Sequence, residues 1–377
     1  MMFSTALIVD EVGSPFKTSS VELAPLRPTE VLVELKATGV CHTDTAVQQG
    51  KLPGEYPTVL GHEGAGIVRE IGSDVQDVAV GDHVLLSYSY CGECHNCKRG
   101  QTYQCTSMFE RNFGGLRPDG THPMKLDGQN VHGCFFGQSS FSNPAIVQEE
   151  SCVVINTEMP LDILAPLGCG AQTGAGSIFN VVKPVENSTR SVAIFGIGGV
   201  GSAALMAAKA IHQDNPNLLT TIIAVDLQRA RLDLAAELGA THTIQPTNPV
   251  DTIEEIHRIT KGEGVDAAVD CTGAVPVINA MIKALGAGGI AVTIGVPSST
   301  AEMNIQVFDF VNSCKTYRGS HQGNSYSRKF LPFLADLYMQ GRFPIDRLQK
   351  RYKPSEINTA VQDLLHGRVL KPVIVWT

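Results

Sequence analysis

Ser191-Val192-Ala193-Ile194-Phe195-Gly196-Ile197-Gly198-Gly199-Val200-Gly201 is the stretch from which the fold can be read. Residues 191–195 form a short apolar run that suits a buried strand. The run breaks into Gly196, Gly198, Gly199 and Gly201, and positions 200–211 continue as an Ala- and Leu-rich helix. Glycine turns are common, and a G-x-G-x-x-G pattern by itself says little. Here it closes a strand and opens a helix, the setting in which backbone N–H groups and a helix N-terminus can approach a pyrophosphate. A second strand, 221–225, ends at Asp226. A carboxylate there would accept hydrogen bonds from both ribose hydroxyls and repel a 2′-phosphate, which favours NAD(H) over NADP(H). Asp226 comes somewhat later than the usual ~20 residues, a delay that the Asn215-Pro216-Asn217 loop can absorb. Arg231 could reach the same ribose, although a solvated helix cation is the plainer reading of it.

Working outward, helices at 229–238, 251–260 and 277–285 alternate with strands at 265–270 and 289–294. That alternation predicts an α/β unit, a doubly wound parallel sheet covered on both faces. Upstream the pattern differs. Up to about residue 60 the chain reads as strands and turns, with a strand at 31–37 and a Pro/Gly-punctuated loop at 51–57. Further strands at 64–68 and 84–86 complete the picture of a compact β-rich domain. The stretch 109–143 reads as a loop-rich excursion, and a helical segment begins near Cys169. The tail carries one helix, 330–339, and a final strand, 373–376, that returns to the first domain. The expected division is 1–172 for the β-rich domain, 173–320 for the dinucleotide domain and 321–377 for the return.

A chain of 377 residues is too long for one ordinary hydrophobic core, in keeping with two domains. The net charge of −8 argues against nucleic acid or an anionic membrane as a partner. No apolar run reaches a membrane span, and Met1-Met2-Phe3-Ser4-Thr5 does not read as a secretory signal. Ten cysteines without such a signal point to metal ligands in a cytoplasmic protein rather than to disulfides. Cys134, Cys152, Cys271 and Cys314 show no partner pattern and are expected to be small buried side chains.

The other six cysteines fall into two groups. Cys91-x-x-Cys94-x-x-Cys97 followed by Cys105 is a strong signal for a closed, tetrahedral Cys₄ zinc site in a lobe spanning about 91–105. His95 lies inside the lobe but is not needed as a ligand. Cys41, His62 and Cys169 sit on three separate pieces of chain, in Cys41-His42-Thr43-Asp44, Gly61-His62-Glu63 and Gly168-Cys169-Gly170. They could be three protein ligands of one metal, and three N/S ligands suit a catalytic zinc with one open position. Any one of these residues alone would more often be ordinary core.

Together these motifs resemble the zinc-dependent, medium-chain alcohol dehydrogenases. The likeness runs from end to end and rests on Cys41-His42-Thr43-Asp44, Gly61-His62-Glu63-Gly64, the four-cysteine lobe, Gly168-Cys169-Gly170 with Thr173, and Gly196 to Gly201. Within the family, Asn112-Phe113 and Leu116-Arg117-Pro118-Asp119-Gly120 are most similar to the aryl- and benzyl-alcohol dehydrogenase branch. The resemblance implies a GroES-like β-rich catalytic domain beside a Rossmann domain, two zinc ions per chain and NAD(H). It implies that Cys41, His62 and Cys169 bind catalytic zinc, that Glu63 can approach the metal during ligand exchange, and that Asp44 orients His62. Thr43 would take the alcohol proton. His42 and Lys371 match positions that contact the cofactor pyrophosphate, and Thr173, Val200 and Ile294 match positions around the nicotinamide.

The implied reaction is hydride transfer between NAD(H) and an alcohol/aldehyde pair, with a small apolar or aromatic molecule as substrate. Many relatives place a histidine where this chain has Ala46, so the proton must leave through the ribose hydroxyl to water or by way of His42. The long segment between Cys105 and Cys169 resembles that of dimeric relatives and implies a homodimer. Phe109, Phe113, Phe135, Phe136 and Phe141 are candidates for an apolar pocket rim. The nearest rival is glutathione-dependent formaldehyde oxidation, which would need cations such as Arg111 and Arg117 for the glutathione carboxylates. A biosynthetic aldehyde or ketone reductase would look alike, a polyol dehydrogenase would usually carry a carboxylate at position 169, and a non-catalytic NAD-binding protein would have no use for the complete ligand set.

Overall fold

Ser191–Phe195 lies in the middle of a six-stranded parallel sheet in the computed structural model, which describes residues 1–376. The strand order is His242–Ile244, Thr221–Val225, Ser191–Phe195, Val265–Asp270, Leu285–Thr293 and Thr316–Gly319. In chain order this is 3-2-1-4-5-6, the doubly wound arrangement in which ligands bind beyond the carboxyl ends of the central strands. All of Ser191–Phe195 is buried, as an apolar run with helices on both faces requires. The helices include Gly199–Asp214, Arg229–Leu238, Pro249–Ile259 and Val275–Lys283. Asn248 starts the third of these by accepting hydrogen bonds from the N–H groups of Val250 and Asp251, with Pro249 in the first turn. The core of this unit gathers Ala193, Phe195, Ile223, Val225, Val265, Ile278 and Met281. The unit comprises Gly170–Ser325 and the short segment Gly341–Pro344.

The other unit holds Met1–Cys169, Tyr326–Gln340 and the chain from Ile345 onward. Two sheets of six and seven strands, largely antiparallel, build it. Its strand pairing places the chemistry. Glu30–Gly39 runs directly into Cys41, and Gly64–Ile71 begins directly after His62-Glu63. The two strands pair antiparallel with Thr38 opposite Gly64, so the Cys41 and His62 segments leave the same end of the sheet. Lys371–Val375 pairs with the opposite edge of Glu30–Gly39, Val373 facing Gly39, which brings Lys371 to that end as well.

Three elements differ from the sequence reading. Cys41 is the N-cap of a helix, His42–Gln48, rather than part of a turn between strands. The stretch 109–143 contains a hairpin of Met124–Leu126 and Gln129–Val131, and a helix, Met108–Phe113, leads into it. The tail carries a second helix, Ile357–Leu365.

Candidate functional site

Asp44 is the third residue of the helix that Cys41 caps, and its carboxylate builds the first centre. Oδ2 accepts the Cys41 N–H at 2.9 Å, while Oδ1 accepts the Gly61 N–H at 3.0 Å and faces His62 Nδ1 at 2.9 Å. One buried acid thus fixes both ligand segments and turns the other imidazole nitrogen inward. His62 Nε2 is buried and has no hydrogen-bond partner among the described residues. It belongs to a group in which one ligand atom each from Cys41, His62, Glu63 and Cys169 lies within 4.8 Å of all the others. A tetrahedral zinc with Zn–S bonds of about 2.3 Å spaces its ligands by roughly 3.5–4 Å, so this donor set fits such an ion. A hydrogen bond from the Cys169 thiol pulls Cys41 well below the ordinary thiol range, while Cys169 itself is held above it. Thr43 Oγ1 lies 3.8 Å from Cys41 Sγ, and Ala46 sits one helical turn further along.

Glu63 and Lys371 form an ion pair beside this group. Lys371 Nζ donates to both carboxylate oxygens, at 2.8 and 2.9 Å, and approaches the Val40 carbonyl at 3.4 Å. Both residues are buried. Burial disfavours the ammonium, but the Glu63 charge outweighs it and holds Lys371 above its usual range. Burial likewise raises Glu63, partly offset by Lys371. Lys371, expected near a pyrophosphate, therefore has its ammonium committed to Glu63 in this structure.

An aromatic wall stands against His62. Phe136 stacks on the imidazole with centroids 4.5 Å apart and planes at 26°, and Phe135 meets it edge-on at 5.4 Å. Phe113 contacts both phenylalanines, and Phe109 stacks on Phe113. Phe141 faces Phe16 instead, and Phe135, Phe136 and Phe141 all belong to the same buried core. The backbone that presents the wall is unusual, with Cys134, Phe136 and Ser139 at φ 55°, 52° and 45°. Left-handed non-glycine residues are costly and persist where the surroundings over-determine them. Gln138 supplies part of that constraint. Its amide accepts the Gly64 N–H and donates to the carbonyls of His62 and Ser87, all at 3.0–3.1 Å. A lone glutamine in a loop offers no sequence signal for this role.

In the lobe, Cys91, Cys94, Cys97 and Cys105 place their sulfurs within 4.8 Å of one another, and none is in a disulfide. The Cys94 N–H donates to Cys91 Sγ and the Cys91 N–H to Cys105 Sγ, both at 3.3 Å. Backbone N–H groups of Cys97 and Thr106 draw Cys94 down to about 5, whereas burial pushes Cys97 and Cys105 up. Such N–H···S bonds suit thiolates, and four sulfurs around one point fit zinc with no open position. His95 is exposed and lies near Arg99. Of the four unassigned cysteines, Cys134 and Cys152 are buried as expected, Cys271 is half-buried, and Cys314 is exposed at the end of a short helix.

In the parallel-sheet unit the glycine turn has the shape a dinucleotide needs. Gly196 has φ 87°, and a Cβ on Gly201 would lie 2.0 Å from the Gly196 carbonyl oxygen. A Cβ on Gly198, the helix N-cap, would meet nothing within 4 Å, leaving open space over the turn. The Asp226 carboxylate closes the turn by accepting the N–H groups of Ile197 at 2.7 Å and Gln228 at 2.9 Å, with Arg231 3.5 Å away. Gly199 and Val200 begin the helix, Ile294 follows the strand Leu285–Thr293, and Thr173 lies on the helix Gly170–Gly176. His42 is the first residue of the helix capped by Cys41.

An alcohol dehydrogenase GroES-like domain matches residues 27–157, and a zinc-binding dehydrogenase domain matches residues 199–336. The chain is 37% identical over 372 residues to the geraniol dehydrogenase of Castellaniella defragrans, covering 98% of this chain and 97% of that one. It is 35% identical over 378 residues to the S-(hydroxymethyl)glutathione dehydrogenase of Synechocystis, covering 99% and 100%. The crystal structure of benzyl alcohol dehydrogenase from Acinetobacter calcoaceticus matches with a TM-score of 0.92 at 39% identity, covering 100% of both chains. The chain belongs to the zinc-binding alcohol dehydrogenases, and it is an oxidoreductase of that family. No helix among the described residues is long and apolar enough to cross a membrane.

Proposed function

We propose that this enzyme transfers hydride between NAD(H) and a primary alcohol/aldehyde pair whose carbon skeleton is aromatic or similarly apolar. The observation that carries this reading is the stack of Phe136 on the His62 imidazole, with Phe135 and Phe113 behind it. A flat apolar skeleton gains both buried area and ring–ring geometry against such a wall. When bound, zinc supplies Lewis-acid polarisation of the substrate oxygen and NAD supplies the hydride acceptor.

The chain's own residues do the remaining work. Cys41, His62 and Cys169 would hold the catalytic ion, and Cys91, Cys94, Cys97 and Cys105 the other. Asp44 keeps His62 in the orientation and tautomer that leave Nε2 available. The Thr43 hydroxyl would accept the alcohol's proton as it gives up its own, and with Ala46 in place of an imidazole His42 is the chain's own residue that would take the proton onward. Glu63, neutralised by Lys371, is the carboxylate that can approach the ion when ligands exchange. Gly196, Gly198, Gly199, Val200 and Gly201 would cradle the pyrophosphate, with His42 as a further contact and Lys371 as one only where its ammonium exchanges Glu63 for the phosphate. Asp226 and Arg231 would bind the adenosine ribose, and Thr173 and Ile294 the nicotinamide.

Glutathione adducts fit less well. Arg117 is buried in a two-pronged pair with Glu30, at 2.8 and 2.9 Å, and also donates to the Pro25 carbonyl. Arg111 pairs with Glu150 at 2.8 Å. Both cations that could greet glutathione carboxylates are thus committed. The test is NADH absorbance with benzyl alcohol, aliphatic alcohols, hydroxymethylglutathione and the matching aldehydes. An aryl or other apolar pair should show the highest kcat/KM, and faster turnover of hydroxymethylglutathione than of every aryl substrate would sink the assignment.

We also propose a cytoplasmic homodimer. Phe310 packs the helix Val307–Ser313 against the core of its unit, while Val307, Phe308 and Val311 are each at least 70% exposed. The helix precedes Thr316–Gly319, the edge strand of the parallel sheet. An apolar patch beside an open sheet edge is a place for a second copy. Sedimentation should give the mass of two chains, and Phe308→Asp should shift it toward one.

A further inference from the structure

We propose that Gln138 is a positioning residue for the open zinc centre, its carboxamide setting the spacing between the His62 and Cys169 segments. The inference rests on the reading of Cys41, His62 and Cys169 as the catalytic ligands. The strand pairing shows why a side chain is needed there. Gly64–Ile71 pairs antiparallel with His83–Leu86, with Ile67 opposite His83, Gly66 opposite Val84 and Ala65 opposite Leu85. Continued by two residues, that ladder would set Glu63 against Ser87 and draw the His62 peptide into the sheet. The ladder ends at Ala65 and Leu85 instead, and the Gln138 amide stands between the strand ends. Oε1 accepts the Gly64 N–H at 3.1 Å, and Nε2 donates to the carbonyls of His62 and Ser87, each at 3.0 Å. Both donors of the amide are used in this way, and Gln138 is wholly buried.

From Ser87 the connection reaches the third ligand. Ser87 Oγ donates to the Gly168 carbonyl at 2.8 Å. A Cβ on Gly168 would collide with the Leu86 carbonyl oxygen, so the segment that carries Cys169 lies directly on this strand end. His62 and Cys169 are thus fastened to two neighbouring strand ends, with the Gln138 amide as the spacer. The loop that carries Gln138 also lines the His62 segment. The N–H groups of Ser140 and Phe141 donate to the carbonyls of Gly61 at 2.9 Å and Leu60 at 3.0 Å, and Phe136 stacks on the imidazole. Asp44 governs how the imidazole is turned, and Gln138 governs where its peptide sits. An apolar side chain of the same length would fill the space but leave the His62 and Ser87 carbonyls buried without this donor, so the strand ends would shift.

The test uses the full-length enzyme loaded with two zinc ions. In chelator competition, Gln138→Met should hold the open-centre ion about tenfold more weakly, the lower end of the range for groups that support metal ligands, and hold the lobe ion as wild type does. Cobalt placed in the open centre should show shifted visible bands in this variant, because those bands report ligand geometry. Ser87→Ala should weaken the same ion, and the double variant should lose less than the two single losses combined, since both act on one connection. A lower Tm with both ions held as in wild type, unshifted cobalt bands, equal weakening at both centres, or additive losses in the double variant would each overturn the proposal. If Gln138→Met does not fold, Gln138→Asn takes its place, since it keeps the amide and shortens its reach, and an unchanged affinity there overturns the proposal. Wild-type protein that holds only the lobe ion, or Cys169→Ser that keeps two ions, would mean that the ligand reading itself has failed and this inference with it.

Discussion

The lobe and the Cys41–His62–Cys169 centre both hold sulfur ligands, yet they are built in opposite ways. The lobe draws all four from one short stretch, Cys91 to Cys105, and its own backbone N–H groups point at the sulfurs. The other centre draws its ligands from three distant segments, and what surrounds them is tertiary: the Asp44 carboxylate, the Glu63–Lys371 pair and the Phe135–Phe136 wall. Local chain geometry is enough to close a site. Gathering Cys41, His62 and Cys169 takes a whole folded domain, because their three segments meet only through tertiary contacts.

The comparison breaks first at the ligands themselves. Cys169→Ser should lower kcat/KM by at least about a thousandfold, as loss of a Lewis acid does, and leave one zinc per chain by elemental analysis. If activity survived with one zinc bound, the assignment of the open centre would be wrong. Cys97→Ser should have the reverse signature, a lower Tm and a lost lobe ion with the remaining centre still loaded. The cost should fall well below the ~10 kcal/mol of isolated zinc peptides, because the surrounding domain also holds the lobe. Asp44→Asn keeps the shape and removes the charge behind His62. Metal affinity of the open centre should fall 10- to 100-fold in chelator competition, roughly the effect seen for such supporting groups, while the lobe ion exchanges at its usual rate.

The smallest effect should come from a site that neither centre uses. Asp363 accepts from Tyr352, Arg368 and Lys350, which hold its carboxyl below the usual range. A depressed carboxyl stabilises the fold above its unfolded pKa of about 3.9. That stabilisation fades as pH drops below this value and is gone once the folded carboxyl protonates. Asp363→Asn should therefore lower Tm slightly at neutral pH and flatten its decline in acid, with both zinc ions retained. A change in zinc content would show that the helix Ile357–Leu365 is coupled to the metal centres after all.

Much of the fold was legible because its signals are local. Thr221–Val225, Arg229–Leu238 and Val265–Asp270 fall where apolar runs, turn residues and a terminal glycine put them. The helix His42–Gln48 was not, since HTDTAVQ is short, rich in threonine and without an apolar stripe. It exists because Cys41 and Asp44 satisfy its first turn and Asp44 is tied to Gly61 and His62. The hairpin inside 109–143 was hidden for a similar reason, as its two strands are only three residues each. Arg117 illustrates a different gap. Its segment suggested a branch of the family, but the structure gives the side chain a buried structural partner, Glu30, that no spacing rule points to. Lys371–Glu63, Gln138–His62 and Gln322–Thr173 join positions 308, 76 and 149 apart, and such pairs carry no pattern along the chain.

The spread of the ligands along the chain also fixes an order of arrival during synthesis. A ribosome releases Cys91 to Cys105 well before it reaches Cys169, so the lobe has all of its sulfurs while the open centre still lacks one. Where the ion is scarce, the early claimant takes it. Cells short of zinc should thus accumulate chains that are folded, charged with a single ion and silent, and adding the metal back to a lysate should wake them without new translation.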